Sequence, residues 1–378
     1  MMFDLEVDRL RAPAPQWERA PWHARFGLSW STGVVPVVLI LLLGSALGPS
    51  GLALLTPRVL EVLNPVVPVA VAALGILAGL EFTRPASPYR WALLVKASLQ
   101  SMLTGVTVAA GVWFLAPTLL DATGFDALAV ALVTGVCASM SASLPGADPD
   151  RLRPPALRIR DLDALLPTLV GMGVLAAVRS PSVMASVILA GQAALLALVI
   201  SAAAWLLLAD TSPGTEQRVF AIAALLLVGG IADYLSLSAL ATGLLAGLFW
   251  GGVGGATRDC VERDVGYLRH PLVVLMLLIA GAQATLSPAI LSLAAAYLAL
   301  RVAGKLAGGT LARRLPPIRQ PEGLGTSLLP PGVFGLAFAL NAAPLLGAPA
   351  MPLLAAVVLG TIASQLVAAV LRSQEPAD

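Results

Sequence analysis

Arg301 and Lys305 stand four residues apart in an apolar run, one helical turn apart on a single face. Two cations placed this way can hold a carboxylate, backbone carbonyls or a bound anion. Few acids could answer them. Asp161 and Asp163 flank the start of another apolar run, and Thr168 lies five residues beyond Asp163. Ser139 and Ser141 add hydroxyl oxygens near the end of a third run, followed by Leu144-Pro145-Gly146. A fourth run is interrupted by Pro330-Pro331-Gly332. Proline removes a backbone donor and crowds the preceding turn. Interrupted helices expose amides and carbonyls that bind ions or substrate groups. The chemistry suggested is ion binding. Two cysteines and two histidines make no metal site or disulfide framework, and no nucleophile–base set points to an enzyme or a cofactor.

The elements that position these residues follow from composition. Of 378 residues, 58% are hydrophobic and 12% charged, and the mean hydropathy is +0.88. Soluble domains carry roughly 25% charged residues, so a soluble enzyme, a nucleic-acid binder and a disordered chain are excluded. The surrounding partner is a lipid bilayer. A hydrocarbon core of about 30 Å takes about 20 helical residues. By that ruler the sequence predicts an all-α polytopic membrane protein with about twelve spans. They run Thr32–Leu47, Leu63–Phe82, Trp91–Leu115, Asp126–Leu144, Asp163–Val178, Ser182–Leu208, Gln217–Ile231, Ser238–Gly251, Pro271–Leu286, Pro288–Leu311, Leu324–Ala343 and Met351–Leu371. The fifth, seventh, eighth and ninth are short, which suggests broken or shielded helices.

Basic residues orient the chain, because cytoplasmic loops are rich in Lys and Arg. With the N-terminus inside, 18 of the 23 fall on the cytoplasmic side, Arg58 and Arg179 fall outside, and Lys96, Arg301 and Lys305 lie within spans. Residues 1–30 then form a cytoplasmic tail without the pattern of a cleaved signal peptide. Residues 31–372 form one membrane domain, and 373–378 a cytoplasmic end.

Charges at membrane depth are costly and mark function by default. Lys96, one turn into its span, is expected to snorkel to the interface. Arg301 lies too deep for that. It either bonds carbonyls exposed by a broken neighbouring helix or takes part in substrate binding or proton coupling.

Several stretches resemble the cation/proton antiporter superfamily, the sodium/hydrogen exchanger-like membrane domain. They are Gly48-Pro49-Ser50-Gly51-Leu52, Leu77-Ala78-Gly79-Leu80-Glu81-Phe82, the segment from Leu237 to Gly247, Ile279-Ala280-Gly281-Ala282-Gln283-Ala284, and Arg301-Val302-Ala303-Gly304-Lys305. They follow the family's order across nearly all of the membrane region. The resemblance implies inverted repeats, two crossed discontinuous helices, alternating access, a homodimer and an inner-membrane location. The chain also departs from the pattern. Ser141-Ala142 replaces a Thr-Asp or Thr-Ser pair, and Pro167-Thr168 stands where Asn-Asp or Asp-Asp is expected. Pro331-Gly332 replaces an Arg-Gly. Asp163 is the nearest acid, about 7.5 Å shallower along a helix.

Three readings follow. The chain exchanges a monovalent cation, sodium or potassium, for protons, using Asp163 or Asp161 with Ser139, Ser141 and Thr168 as neutral oxygen ligands. It carries a small anion on unpaired Arg301 and Lys305. Or it no longer transports and serves as a structural or sensory membrane partner.

Overall fold

A computed structural model describes residues 34–83, 90–141, 159, 162–210, 214–235, 238–316, 324–347 and 349–373. The two terminal tails lie outside them, as do Asp161, Pro145 and Gly146. The described elements are α-helices: α1 Val34–Leu47, α2 Pro57–Leu63, α3 Val66–Thr83, α4 Arg90–Leu119, α5 Gly124–Ser139, α6 Leu165–Arg179 and α7 Val183–Asp210. They continue with α8 Thr215–Tyr234, α9 Ala239–Val253, α10 Gly255–Gln283, α11 Pro288–Arg314, α12 Leu324–Ser327, α13 Val333–Leu346 and α14 Ala350–Ser373.

A helix falls on every apolar run read from the sequence, and the eleventh run is split into α12 and α13. Seven helices are long and apolar enough to cross a membrane, among them α3, α4, α7, α11 and α14. The outward face of α7 carries Val183, Met184, Val187, Ile188, Leu195 and Leu206, all well exposed. An apolar helix with its apolar side chains turned outward suits lipid rather than water. The chain is a multi-pass helical membrane protein.

Two boundaries differ from expectation. The ninth run is not short: α10 spans 29 residues and carries Pro271 inside it. Reading Pro271 as a start cut off a charged leading half, Arg258 to Arg269, which is helical. The seventh run also lengthens, to the 20 residues of α8. The fifth and eighth remain short, with α6 and α9 at 15 residues each.

Glycine sets the closest packing. α3 and α9 meet backbone to backbone. A Cβ on Gly243 would lie 2.2 Å from the Ala72 carbonyl oxygen, and one on Gly247 2.1 Å from that of Ile76. Small residues let membrane helices approach this closely. On the other side, α4 packs on α5 and α11. Gly304 brings α11 against Thr104, where a Cβ would lie 2.8 Å from that residue's Cα. The polar side chains of α4 and α11 are thereby held at contact distance.

The α3–α9 seam gives a direct test. Gly247→Val should lower stability by about 1–3 kcal/mol or more, as overpacking does, whereas Gly252→Ala, with open space around its Cα, should not. Thermal unfolding in detergent checks both.

Candidate ion-binding site

α5 stops inside the protein. Met140 is extended, with φ −81° and ψ 129°, so the helix ends at Ser139. A helix end leaves its last carbonyls without intrahelical partners, and these carry the negative end of the helix dipole. The carbonyls of Ala138, Ser139 and Met140 are left this way among buried side chains.

α11 supplies the positive charge. Arg301 and Lys305 are fully buried, with no exposed surface. Arg301 Nη1 donates to the Ala138 carbonyl. Its Nη2 donates to the Met140 carbonyl and the Ser141 hydroxyl, both at 3.2 Å. Lys305 Nζ donates to the Ser139 carbonyl at 2.6 Å, to Asp163 Oδ2 at 3.1 Å and to Gln100 Oε1 at 3.5 Å. Of the two roles open for Arg301, bonding a broken neighbour's carbonyls is the one the geometry displays.

Asp163 precedes α6 and is fully buried. Besides Lys305, its carboxylate accepts the Ser141 backbone N–H at 3.0 and 3.1 Å. That N–H lies just past the end of α5. The Ser141 hydroxyl donates in turn to the Leu328 carbonyl at 2.8 Å. Leu328 opens the non-helical stretch between α12 and α13, which runs through Pro330 and Pro331 to Gly332, the residue preceding α13. The two chain interruptions therefore touch. Gln365 of α14 braces the second one, its Nε2 donating to the Pro331 carbonyl at 2.8 Å.

Asp163 lies beside Lys305, as the reading that displaces it into the site expects: the extended turn of Met140 and Ser141 brings the α5 end to it. Two expectations are corrected. Lys305 is consequently paired, and Arg301 is bonded, so neither is an open cation. Lys96 does not snorkel; it is 1% exposed, one turn from Gln100 on α4. The predicted hydroxyl ligands divide. Ser141 sits in the site. Ser139 and Thr168 are buried, but their hydroxyls donate to their own helices, to the Val136 carbonyl at 2.7 Å and the Ala164 carbonyl at 2.6 Å. Ser139 contributes its carbonyl instead. Gln100 was not anticipated; an amide within a membrane-length helix was the available signal.

Chemically, the cluster offers one carboxylate, one hydroxyl and several carbonyl oxygens around two cations. Oxygen donors of this kind suit a hard cation or a proton. Among the described residues, no group of three His, Cys, Asp or Glu could hold a metal ion.

The architecture is a multi-pass helical fold in which two chain interruptions meet at a buried ion pair. Among solved structures, it matches the sodium proton antiporter MjNhaP1 from Methanocaldococcus jannaschii with a TM-score of 0.63 and 16% identity, over 89% of this chain and 92% of that one. At that identity the likeness establishes the fold. No protein-family model matches the sequence, and no curated protein does.

Removing one member of a buried ion pair strands the other and costs about 3–5 kcal/mol, whereas replacing both by apolar groups is far milder. Asp163→Leu and Lys305→Met should each lower the unfolding temperature sharply, and the double variant less than their sum. A double-mutant cycle by thermal unfolding measures it.

Proposed function

We propose that this protein is a secondary transporter that exchanges a monovalent cation, sodium or potassium, for protons by alternating access. The observation that carries the reading is Asp163: a fully buried carboxylate at the junction of two chain interruptions, held by the Ser141 N–H and Lys305. A carboxylate can hold either a metal cation or a proton, so one group serves both passengers in turn.

The geometry supports a sequence of events. A dehydrated cation reaching Asp163 displaces the Lys305 ammonium, which keeps its bonds to the Ser139 carbonyl and Gln100. Ser141 and neighbouring carbonyls complete the oxygen shell. Protonation of Asp163 removes the charge that holds the cation and releases it. Arg301 stays in place, bonded to the α5 end, and keeps that end open. The fold match with a sodium proton antiporter supports the same reading. The reading also takes the chain to cross an inner membrane twelve times with both ends cytoplasmic. It includes inverted repeats whose discontinuous helices cross at the site, and a homodimeric assembly. The anion reading loses its ground, since it required Arg301 and Lys305 to be unpaired.

The experiment is dissipation of a pH gradient in proteoliposomes, with sodium, potassium, lithium and small anions applied in turn. Sodium or potassium should collapse the gradient, and Asp163→Asn should abolish the response. Because protons and cations compete for one carboxylate, the half-saturating cation concentration should fall as pH rises. A response to anions alone would overturn the proposal in favour of anion transport. A flat response to every ion would assign the chain a structural or sensory role.

A further inference from the structure

α3 and α9 are locked by the glycine contacts at Gly75, Gly79, Gly243 and Gly247, where backbone meets backbone. They form one closely packed pair. α13 is the helix that leads away from the ion site, with Gly332 at its start beside the interruption. At its far end α13 touches the α3–α9 piece through a specific bond: Asn341 Oδ1 accepts the Ala239 backbone N–H at 2.8 Å.

That N–H belongs to the first residue of α9, one of the donors a helix cannot satisfy internally. The Ser238 side chain serves a different donor, the Ala241 N–H. Asparagine is a poor helix former, and Asn341 sits within a helix where its side chain makes this contact to α9. The junction is loosely filled. A cavity of about 60 Å³ lies beside the bond, lined on one side by Val67, Asp233 and Ala239 and on the other by Leu340, Asn341 and Pro344. Pro344 cannot donate to the Leu340 carbonyl four residues earlier, so α13 is also weakened there.

Along α13, Phe338 and Phe334 lie between this cavity and the interruption, on the same helical face as Asn341. Both are fully buried. The Phe338 ring fills the space left by Gly171 of α6, where a Cβ would lie 2.5 Å from its Cε2.

We propose that the Asn341–Ala239 bond is the latch that holds this end of the ion pathway closed, with the adjoining cavity as the remnant of the passage. The inference rests on the alternating-access reading. Opening this end requires α13 to part from α9, and this bond must break first. Asn341 is thus a positioning residue that touches no ion.

The test is the rate at which a membrane-impermeant maleimide labels Leu340→Cys, in a Cys137→Ala/Cys260→Ala background in sealed vesicles of each orientation. Leu340 lines the cavity and is 5% exposed. Asn341→Leu keeps the size and removes the acceptor. It should speed labelling from one face of the membrane by on the order of 5-fold, the factor that one net hydrogen bond carries. Asn341→Asp keeps an acceptor oxygen and should restore the slow rate. Ala239→Pro removes the donor at a helix position that accepts proline, so it should match Asn341→Leu and tests the latch even if that variant fails to fold. The two combined should label no faster than either alone. Unchanged labelling in both single variants would overturn the latch, as would fast labelling in Asn341→Asp. Labelling needs no cargo, so a latch that responds in a protein without exchange would sink the transport reading alone. Exchange with unaltered labelling would sink the latch alone.

Discussion

Two cations of α11 meet the open end of α5. Burying them would cost several kcal/mol each if they were unpaired. Arg301 and Lys305 are tolerated because α5 ends where it does, leaving three carbonyls and the Ser141 N–H without helical partners. The carbonyls receive the cations, and the N–H receives Asp163. Each partner offsets the cost of the other: the cations satisfy the carbonyls of a helix that ends inside the protein, and the helix end satisfies the buried cations. The small residues of α11 complete the condition, since Gly304 lets the helix lie close enough to α4 for Lys305 to reach Gln100.

The charge balance of this cluster constrains what it can do. Arg301 and Lys305 bring two positive charges. Asp163 brings one negative charge, and the end of α5 roughly half of one more. A metal cation added to such a site raises its charge in a medium that penalises charge heavily. Some positive charge must leave in return. Arg301 does not give up a proton in proteins. Under the proposed reading the Asp163 carboxylate, in contact with Lys305 at 3.1 Å, takes up a proton when the cation leaves and gives it up before the next cation binds. Under the proposed reading, exchange rather than one-way conduction follows from this balance.

Much of this was legible in the sequence because membrane burial makes single residues conspicuous. Apolar runs located the helices. Arg301 and Lys305 stood out as depth-placed charges, and the Pro330-Pro331-Gly332 interruption was visible as proline chemistry. What the sequence hid was the path of the chain between helices. Counting along α6 places Asp163 too shallow, since counting assumes that depth follows helical rise. The structure brings the α5 end to Asp163 through an extended turn, which has no periodic signature. Gln100 was hidden differently. Its role depends on which face of α4 meets α11, and glycine contacts set that face. Lys96 misled for the same reason: position along a helix says nothing about which neighbour covers it. Pro271 misled as a boundary, because a proline can sit inside a helix whose neighbours support it.

Under the proposed reading, α13 joins the two parts of the molecule that matter for alternation. Its beginning lies beside the Leu328 carbonyl that Ser141 holds, and its far end carries Asn341 against α9. A bound ion can shift a conformational equilibrium only by as much as it prefers one state over the other. Under the proposed reading the ion touches Ser141 and Asp163, and its preference is expressed there. Any change in the Ser141–Leu328 bond is passed to a helix whose other end meets α9 through the Asn341–Ala239 hydrogen bond beside a cavity. The α3–α9 piece, locked by backbone contacts, cannot absorb the movement by deforming. Under the proposed reading the displacement of α13 therefore appears at its junction with α9, where a cavity already adjoins the contact.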